Sequence, residues 1–282
     1  MAEPLAHAAA LIAQADALIV AAGAGMGVDS GLPDFRGAQG LWRAYPALGR
    51  ARIDFHRIAS PDAFRADPGL AWGFYGHRLA LYRGTVPHDG FRLLQRWAGG
   101  MPRGCAVFTS NVDGQFQKAG FDAQRIDECH GSIHHLQCLA GCGPDIWRAD
   151  GFAPEVDAEA CRLLNAPPTC PHCGGLARPN ILMFGDFEWI EAREQAQAQQ
   201  LERWLASVQR PVVVEIGAGT AIPSVRFFSE RVVDAFGGHL IRVNPREPAV
   251  PARHGVGLAM GALEALTAID RLLEPPGPGS TT

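Results

Sequence analysis

The amino-acid sequence predicts an α/β fold in which a doubly wound parallel sheet carries a small inserted domain. Four largely apolar runs have the character of buried parallel strands that stop at small or polar residues, and they cover 17–22, 105–109, 212–216 and 240–243. About eighty residues rich in aromatic and arginine side chains separate the first two runs, which is too many for a simple crossover and indicates a helical insertion. Cysteine pairs bound a second interruption, between Cys138 and Cys173.

These elements divide the chain into a sheet domain and a small domain. Strong helix formers at 5–15 precede the first apolar run, so a helix is expected before the first strand. A Rossmann-like sheet domain is expected at 1–40, 88–134 and 179–274. The small domain, a helical module plus a cysteine-bounded ribbon, is expected at 41–87 and 135–178. The segment 275–282 is rich in proline and glycine, which predicts a disordered tail.

Charge and composition narrow the possible partners. The chain has 282 residues, 47% of them hydrophobic, with a net charge of -4 and an isoelectric point near 6.2. A net negative charge provides no positive electrostatic potential that would attract the phosphate backbone of a nucleic acid, so direct binding of nucleic acid is not expected. The longest apolar run, 17–25, is too short for a bilayer, and there is no cationic signal region. We therefore expect a cytoplasmic protein without a membrane partner.

A glycine-rich segment follows the first predicted strand. It reads Gly23-Ala-Gly-Met-Gly27, and glycines at such a position let the backbone approach a pyrophosphate and offer its amides. The dehydrogenase fingerprint fails, because Val28 stands where its third glycine would be. The alternative is a tight strand-to-helix turn. The next residues, 30–37, combine a rigid turn with an acid, an aromatic ring and an arginine, and a plain turn does not need all three.

Four cysteines have the spacing of a structural zinc site. Cys170 and Cys173 are separated by two residues, a gap that lets both sulfurs reach one tetrahedral Zn²⁺, and Cys138 with Cys142 forms a second pair. An odd total of seven cysteines suits metal binding in a reducing compartment better than a disulfide framework. The alternative is four unrelated buried cysteines.

The first cysteine pair has a three-residue gap, which zinc sites allow but which leaves the ligand set open. The residues that could replace one sulfur are Cys161, His134 and His172.

Further motifs follow along the chain. The sequence reads Thr-Ser-Asn-Val-Asp at 109–113, Glu-Cys-His-Gly-Ser at 128–132 and Arg-Pro-Asn-Ile-Leu-Met-Phe-Gly-Asp at 178–186. A Gly-Thr segment at 217–220 then precedes Val243-Asn244. Together with Ser-Gly-Leu-Pro-Asp-Phe-Arg at 30–36 and the paired cysteines, this ordered series resembles that of the sirtuin family, in its bacterial-type members. The resemblance extends from roughly 17 to 245.

The resemblance implies an enzyme that uses NAD to remove an acyl group from lysine in a protein or peptide, releasing nicotinamide and O-acyl-ADP-ribose. His130 would be the base that deprotonates a ribose hydroxyl, which suits an imidazole with an unperturbed pKa of about 6.5. Asn111 and Asp113 would complete the catalytic set at the nicotinamide ribose and amide. Zn²⁺ would be structural. The implied NAD-binding residues are Ala22, Gly23, Ala24, Gly25, Asp34, Phe35, Arg36, Ser110, Asn111, Asp113, Gly217, Thr220 and Asn244.

The chain also departs from the family pattern. Ser110 replaces the glutamine of the usual Thr-Gln-Asn and is too short to reach the ribose directly. This departure leaves room for a protein ADP-ribosyltransferase or an NAD glycohydrolase on the same fold. The segment 217–224 also differs from the usual Gly-Thr-Ser-Leu. A third hypothesis is a catalytically silent NAD-binding or zinc-bearing interaction module, against which His130 argues.

Two groups of residues are candidates for substrate binding. Tyr75 and Arg78 are three residues apart and share one face of a predicted helix. They resemble the pair that receives an acidic acyl chain in desuccinylating sirtuins, a task that suits a guanidinium, and the alternative is a surface pair. Ile181, Phe184 and Gly185 belong to a segment that in the family offers a strand edge to the peptide, and the alternative is an ordinary connection.

Overall fold

The computed structural model describes residues 2–33 and 37–273, so the predictions for Asp34, Phe35, Arg36 and the tail 275–282 lie outside the described residues. Its strands are β1 (Ala17–Ala22), β2 (Cys105–Thr109), β3 (Ile126–Glu128), β4 (Gly131–Cys138), β5 (Ile146–Arg148), β6 (Val156–Asp157), β7 (Arg162–Leu163), β8 (Ala177–Ile181), β9 (Pro211–Ile216), β10 (His239–Val243) and β11 (Gly255–Leu258). Its α-helices are α1 (Ala2–Gln14), α2 (Gly37–Ala44), α3 (Pro46–Arg50), α4 (Phe55–Ile58), α5 (Pro61–Ala66), α6 (Pro68–Gly84), α7 (Asp89–Gly99), α8 (Gln115–Lys118), α9 (Ala192–Leu205), α10 (Ser224–Phe236) and α11 (Ala262–Leu273). Short 3-10 helices cover Ala24–Ser30 and Ala123–Arg125.

Six strands form one parallel sheet in the order β3-β2-β1-β9-β10-β11. Along the chain, β2 is added beside β1 and β3 beside β2. The chain then crosses to the other side of β1, where β9, β10 and β11 are added in order. The strand order therefore reverses between β1 and β9, and ligands of such sheets bind at the carboxyl ends of the two strands at that point. The predicted doubly wound fold class is confirmed.

Two of the six strands were missed by the sequence analysis. β3 is three residues long and includes Asp127 and Glu128, although both acids are buried. β11 is four residues long and half glycine. Both lie at the edges of the sheet, and such short runs provide neither a continuous apolar stretch nor an alternating pattern.

Helices cover both faces of this sheet. Leu18 and Val20 of β1 join a core formed with α1, α7 and α11. Ile19 and Ala21, which point the other way, join a second core formed with α9 and α10. Because side chains alternate across a strand and both faces are covered, β1 is a continuous apolar run, and this explains why it could be predicted.

The small lobe has its own core. Side chains from α2 to α6 pack together with the three-stranded antiparallel sheet β5-β4-β8. The indole N–H of Trp72 donates to the carbonyl of Ala177 at 3.0 Å, and the β6–β7 turn lies so close to α6 that a Cβ on Gly73 would overlap the Cys161 backbone. The expected domain boundaries at 134/135 and 178/179 fall inside β4 and β8, which pair with each other.

Within residues 2–33 and 37–273, the structure has no helix with the length and apolar composition that a bilayer span requires.

Candidate active site

Two glycine loops meet at the carboxyl ends of β1 and β9. The N–H of Gly23 donates to the carbonyl of Ile216 at 2.9 Å, and the N–H of Gly25 donates to that of Gly217 at 3.1 Å. A Cβ built on Gly25 would lie 2.5 Å from the Cα of Gly217, whose φ is 64°. Only glycine allows this backbone contact. The structure therefore brings together three of the predicted NAD-binding residues where the strand order reverses.

The loop after β9 is held by side chains from beyond it. The carbonyl of Ala218 accepts a hydrogen bond from Asn244 Nδ2 at 2.9 Å and from Arg226 Nη2 at 3.0 Å. The Thr220 hydroxyl donates to the Glu247 carboxylate at 2.7 Å. Asn244 is fully buried and supports this loop from behind, whereas Thr220 is exposed. Arg226 was missed by the sequence analysis, because it acts from a helix and belongs to no motif.

The loop after β2 is tied to the first glycine loop. The N–H of Ser110 donates to the carbonyl of Ala22 at 3.1 Å, and the Asn111 side-chain amide donates to the carbonyl of Gly23 at 3.0 Å. Ala24, the next residue of the glycine loop, is exposed. Ser110 and Asn111 therefore lie against the crevice that the two glycine loops define.

Asp113 is the buried acid of this site. Burial raises its pKa to about 6, although a hydrogen bond from the backbone of Gln115 opposes the shift. The backbone carbonyl of Asp113 is bonded to the ring of His134 at 2.9 Å. Asp113 can therefore change its protonation state near neutral pH, as functional carboxyl groups in clefts commonly do.

His130 lies two residues after the end of β3 and directly before β4. Its Nε2 is 3.3 Å from the Oγ of Ser224, the first residue of α10. Burial lowers the pKa of His130, and a hydrogen bond to the backbone of Ser110 opposes this shift in part. The ring is half-buried at the same end of the sheet as the glycine loops. At neutral pH the imidazole is therefore uncharged and able to accept a proton.

Ser224 was missed by the sequence analysis. The available signal was its position, since it directly follows Pro223 and a glycine-containing loop, where a helix begins.

The segment after β8 bridges the two lobes. The N–H of Leu182 donates to the carbonyl of His130 at 3.0 Å, and the N–H of Phe184 donates to the carbonyl of Ala59 at 2.9 Å. Ile181 pairs with Gly131 in the β4–β8 ladder and is buried. The predicted peptide-binding segment therefore starts directly beside His130.

A buried ion pair fixes the end of this segment. Arg178 donates to both carboxylate oxygens of Asp186, at 2.7 and 2.8 Å, and both side chains are completely buried. Gly185, just before the acid, has a φ of 64°, a conformation that favours glycine. The ring of Phe184 stacks on His56 with 3.9 Å between ring centroids.

Tyr75 and Arg78 lie inside the small lobe on α6, so the surface-pair interpretation is wrong. They are 1% and 9% exposed. The Nε of Arg78 donates to the hydroxyl of Tyr82 at 2.9 Å, and the guanidinium lies 5.2 and 5.7 Å from the ring centroids of Phe74 and Tyr75. Burial raises the pKa of Tyr75 to about 12. The guanidinium of Arg78 is therefore a positively charged group surrounded by aromatic rings.

The four predicted cysteines come together. The sulfurs of Cys138, Cys142, Cys170 and Cys173 all lie within 4.8 Å of one another. The sulfurs of Cys138 and Cys173 are 3.7 Å apart, and those of Cys142 and Cys170 are 3.5 Å apart. These distances are close to the roughly 3.8 Å between sulfurs that four Zn–S bonds of about 2.3 Å impose in a tetrahedron. The donor set therefore fits zinc.

The three alternative ligands have other surroundings. The ring of His134 is hydrogen-bonded to the backbone carbonyl of Asp113, and Nε2 of His172 lies 2.8 Å from Oδ2 of Asp145. Cys161 packs against α6.

A doubly wound parallel sheet with glycine loops at its reversal point defines the Rossmann-like class of α/β proteins. The chain belongs to the Sir2 family, whose family model matches residues 23–219. The predicted resemblance is confirmed.

Curated relatives and solved structures are similar over nearly the whole chain. The NAD-dependent protein deacylase of Aeropyrum pernix is 30% identical, and the alignment covers 95% of this chain and 96% of the relative. A deacylase of Thermus thermophilus is 32% identical, with 98% and 96% covered. A crystal structure of a Sir2 homologue in complex with NAD has the same fold, with a TM-score of 0.70, 24% identity and coverage of 94% and 92%.

Proposed function

We propose that this protein is an NAD-dependent protein lysine deacylase that releases nicotinamide and forms O-acyl-ADP-ribose. The observation that carries the proposal is the half-buried imidazole of His130, uncharged at neutral pH, beside glycine loops at the reversal point of a doubly wound sheet. Relatives named NAD-dependent protein deacylase, 30% and 32% identical over almost the whole chain, support the proposal.

NAD is a substrate in this reaction. Its pyrophosphate is proposed to lie on the backbone of Gly23, Gly25 and Gly217, where nothing larger than glycine fits. Asn111 and Asp113 are proposed to hold the nicotinamide ribose and amide. The other residues proposed to line the NAD site are Ala22, Ala24, Asp34, Phe35, Arg36, Ser110, Thr220 and Asn244.

His130 is proposed to act as the general base. The acyl oxygen of the modified lysine attacks the anomeric carbon of the ribose as nicotinamide leaves. An imidazole with a lowered pKa is available, uncharged, to take a proton from a ribose hydroxyl. That hydroxyl can then attack the acyl carbon, and the acyl group passes from lysine to ADP-ribose.

The protein or peptide substrate is proposed to bind along Ile181, Phe184 and Gly185. Two observations support this location: the segment starts at the backbone of His130, and the buried Arg178–Asp186 pair holds its far end in place. A peptide strand bound there would bring its acylated lysine next to the base.

Zinc is proposed to be structural. Four thiolates fill a tetrahedral site and leave no position for a reacting group. β4 joins this site to the active site, because Cys138 is its last residue and His130 directly precedes it. A cytoplasmic location, the absence of nucleic-acid and membrane partners, and the division at 41–87 and 135–178 remain parts of the proposal.

The test is to incubate the purified protein with NAD and acetyl-, succinyl- and malonyl-lysine peptides and to resolve the products by mass. A deacylase releases nicotinamide in proportion to deacylated peptide and needs the peptide to do so. Continuous nicotinamide release without peptide, well beyond one equivalent per chain, would instead favour the NAD glycohydrolase or ADP-ribosyltransferase, the alternative that Ser110 motivates. A protein that consumes no NAD under any condition would contradict both activities.

The buried Arg78 predicts a preference for acidic acyl groups. Replacing Arg78 with alanine is expected to lower kcat/KM for succinyl-peptide by roughly tenfold to hundredfold, because a hydrogen bond to a charged group contributes about 1.5–3 kcal/mol. Acetyl-peptide, which has no carboxylate to bind, should lose much less. An Arg57→Ala variant, which removes an exposed arginine from the same lobe, serves as the control. Equal use of acetyl-, succinyl- and malonyl-peptide by the unmutated protein would contradict the assignment.

A further inference from the structure

The Ser224 hydroxyl is a potential nucleophile that the proposed deacylase reaction does not use. Its Oγ lies 3.3 Å from Nε2 of His130, within the hydrogen-bond reach expected of a nucleophile and its base before substrate binds. The contact joins two distant parts of the chain, since α10 begins 94 residues after His130.

A third group orients the base. Burial lowers the pKa of the His130 imidazole, and an interaction of the ring with the backbone of Ser110 opposes this shift, so Ser110 is the third group beside the base. A ring that donates to the Ser110 backbone offers the lone pair of Nε2 to Ser224, which is the tautomer that proton abstraction from the serine requires. Nucleophile, base and orienting acceptor are the three parts of a catalytic triad, here drawn from three separate segments.

The location of Ser224 favours an alkoxide. It is the first residue of α10, a helix of 13 residues, and the N-terminal end of a helix stabilises negative charge. Ser224 is half-buried.

The groups around this triad indicate which electrophile it meets. Ser110 is followed by Asn111, whose side-chain amide donates a hydrogen bond to the carbonyl of Gly23 in the first glycine loop. The base is therefore connected through two consecutive residues to the proposed NAD site. The anomeric carbon of NAD also suits a triad of this kind, because nicotinamide leaves as a neutral molecule and needs no acid. An amide carbonyl would additionally need a proton for its amine and donors for an oxyanion.

We propose that Ser224 is a site of self-modification, at which the protein attaches ADP-ribose from NAD to its own Oγ when no acylated lysine is bound. The inference goes beyond deacylation but rests on it, because it requires NAD in the crevice. A bond forms between Ser224 Oγ and the anomeric carbon, and the bond from that carbon to the nicotinamide nitrogen breaks, with its electron pair leaving on nicotinamide. The hydroxyl proton passes to Nε2 of His130 and then to water.

Acylated lysine competes with this reaction. Its acyl oxygen attacks the same anomeric carbon, so a bound peptide diverts NAD to deacylation. Modified Ser224 would carry a bulky charged group beside His130, and the modified fraction of the protein should lose deacylase activity.

The experiment is to incubate the full-length protein with NAD and to measure its intact mass, followed by mapping of the modified peptide. The expected result is a mass increase of one ADP-ribosyl group, located at Ser224 and suppressed by saturating acyl-lysine peptide. A Ser224→Ala variant should lose the modification. A Ser229→Ala variant should keep it, since that buried hydroxyl bonds to the carbonyl of Val225 within the same helix.

Mapping of the unmutated protein decides the matter even if a variant fails to fold. ADP-ribose on other residues only, an acyl group on Ser224, or an unmodified chain that nonetheless deacylates peptide would each overturn the inference while leaving the deacylase proposal intact. A protein that neither deacylates peptide nor consumes NAD would overturn both.

Discussion

Replacing His130 with alanine is expected to lower kcat/KM for the acylated peptide by a factor of about 10²–10⁴, the usual contribution of a general base. The variant removes the only group that we assign to proton abstraction, while the glycine loops that are proposed to hold NAD keep their backbone contacts. NAD affinity should therefore fall much less than turnover. Binding measured by calorimetry and turnover measured by peptide mass would separate the two effects.

A matched control is available on the neighbouring strand. His135 lies five residues further along, on β4, and lines a different cavity of about 340 Å³ together with Arg148 and Arg193. A His135→Ala variant should retain most of its activity. A His130→Ala variant with full turnover would contradict the assigned role of His130 and the deacylase mechanism built on it.

The pH profile tests the same assignment. A general base works in its uncharged form, so activity is lost as the pH falls through the pKa of the base. Burial lowers the pKa of His130 from the ordinary 6.5, so the acid limb of kcat/KM should have its midpoint below that value. Asp113, with a pKa raised to about 6, titrates in the same range and should contribute to this limb. A midpoint clearly above 6.5 would contradict this description of the site.

Removal of the metal is the second change with a large expected effect. The protein should contain one zinc ion per chain, and a Cys173→Ser variant or a strong chelator should remove it. Loss of the ion leaves the remaining, mutually close thiols without a metal at the end of the β5-β4-β8 sheet. Because structural zinc supplies roughly 10–16 kcal/mol in small zinc-dependent folds, we expect the free energy of unfolding to fall by at least about 3 kcal/mol. The separate aromatic core of the lobe should limit the loss.

Metal content by mass spectrometry and thermal unfolding check this prediction, with Cys105→Ala as the control. Cys105 lies on β2, outside the cluster, so its replacement should leave the zinc content unchanged. Turnover should fall along with stability, because β4 connects the cluster to His130. A Cys173→Ser variant with unchanged metal content, or a purified wild-type chain without metal, would contradict the zinc assignment.

The predicted parts of the fold are those with a strong local signal. β1 is buried on both faces and appears in the sequence as an unbroken apolar run, and β9 is equally buried and apolar except for Glu215, which pairs with Arg242. The two-residue gap between Cys170 and Cys173 is likewise a local property, dictated by the reach of two sulfurs to one ion. β3 was missed because its acids are buried by the tertiary structure: Glu128 forms an ion pair with Arg193 of α9.

The candidate site was predictable only where its residues belong to motifs. The order of the motifs along the chain identified His130, Asn111 and the glycine loops as candidate site residues. Ser224, Arg226 and Glu247 could not be found in this way, since each contributes through contacts with residues distant in sequence. The contact between Ser224 and His130 depends on where α10 begins relative to β3, which no local pattern encodes.

The amino-acid sequence by itself determined the doubly wound class, the positions of the glycine loops, the cysteine set and the family to which the chain belongs. The first three follow from periodicity, small-residue placement and spacing, which act over a few residues, whereas the family follows from the resemblance carried by an ordered series of motifs. Tertiary structure alone decided that Gly25 touches Gly217, that Arg78 is buried among aromatic rings, and that the His130 imidazole lies between Ser110 and Ser224. Such contacts arise when separate elements pack, because only then do burial and neighbouring groups set the pKa and the partners of a side chain.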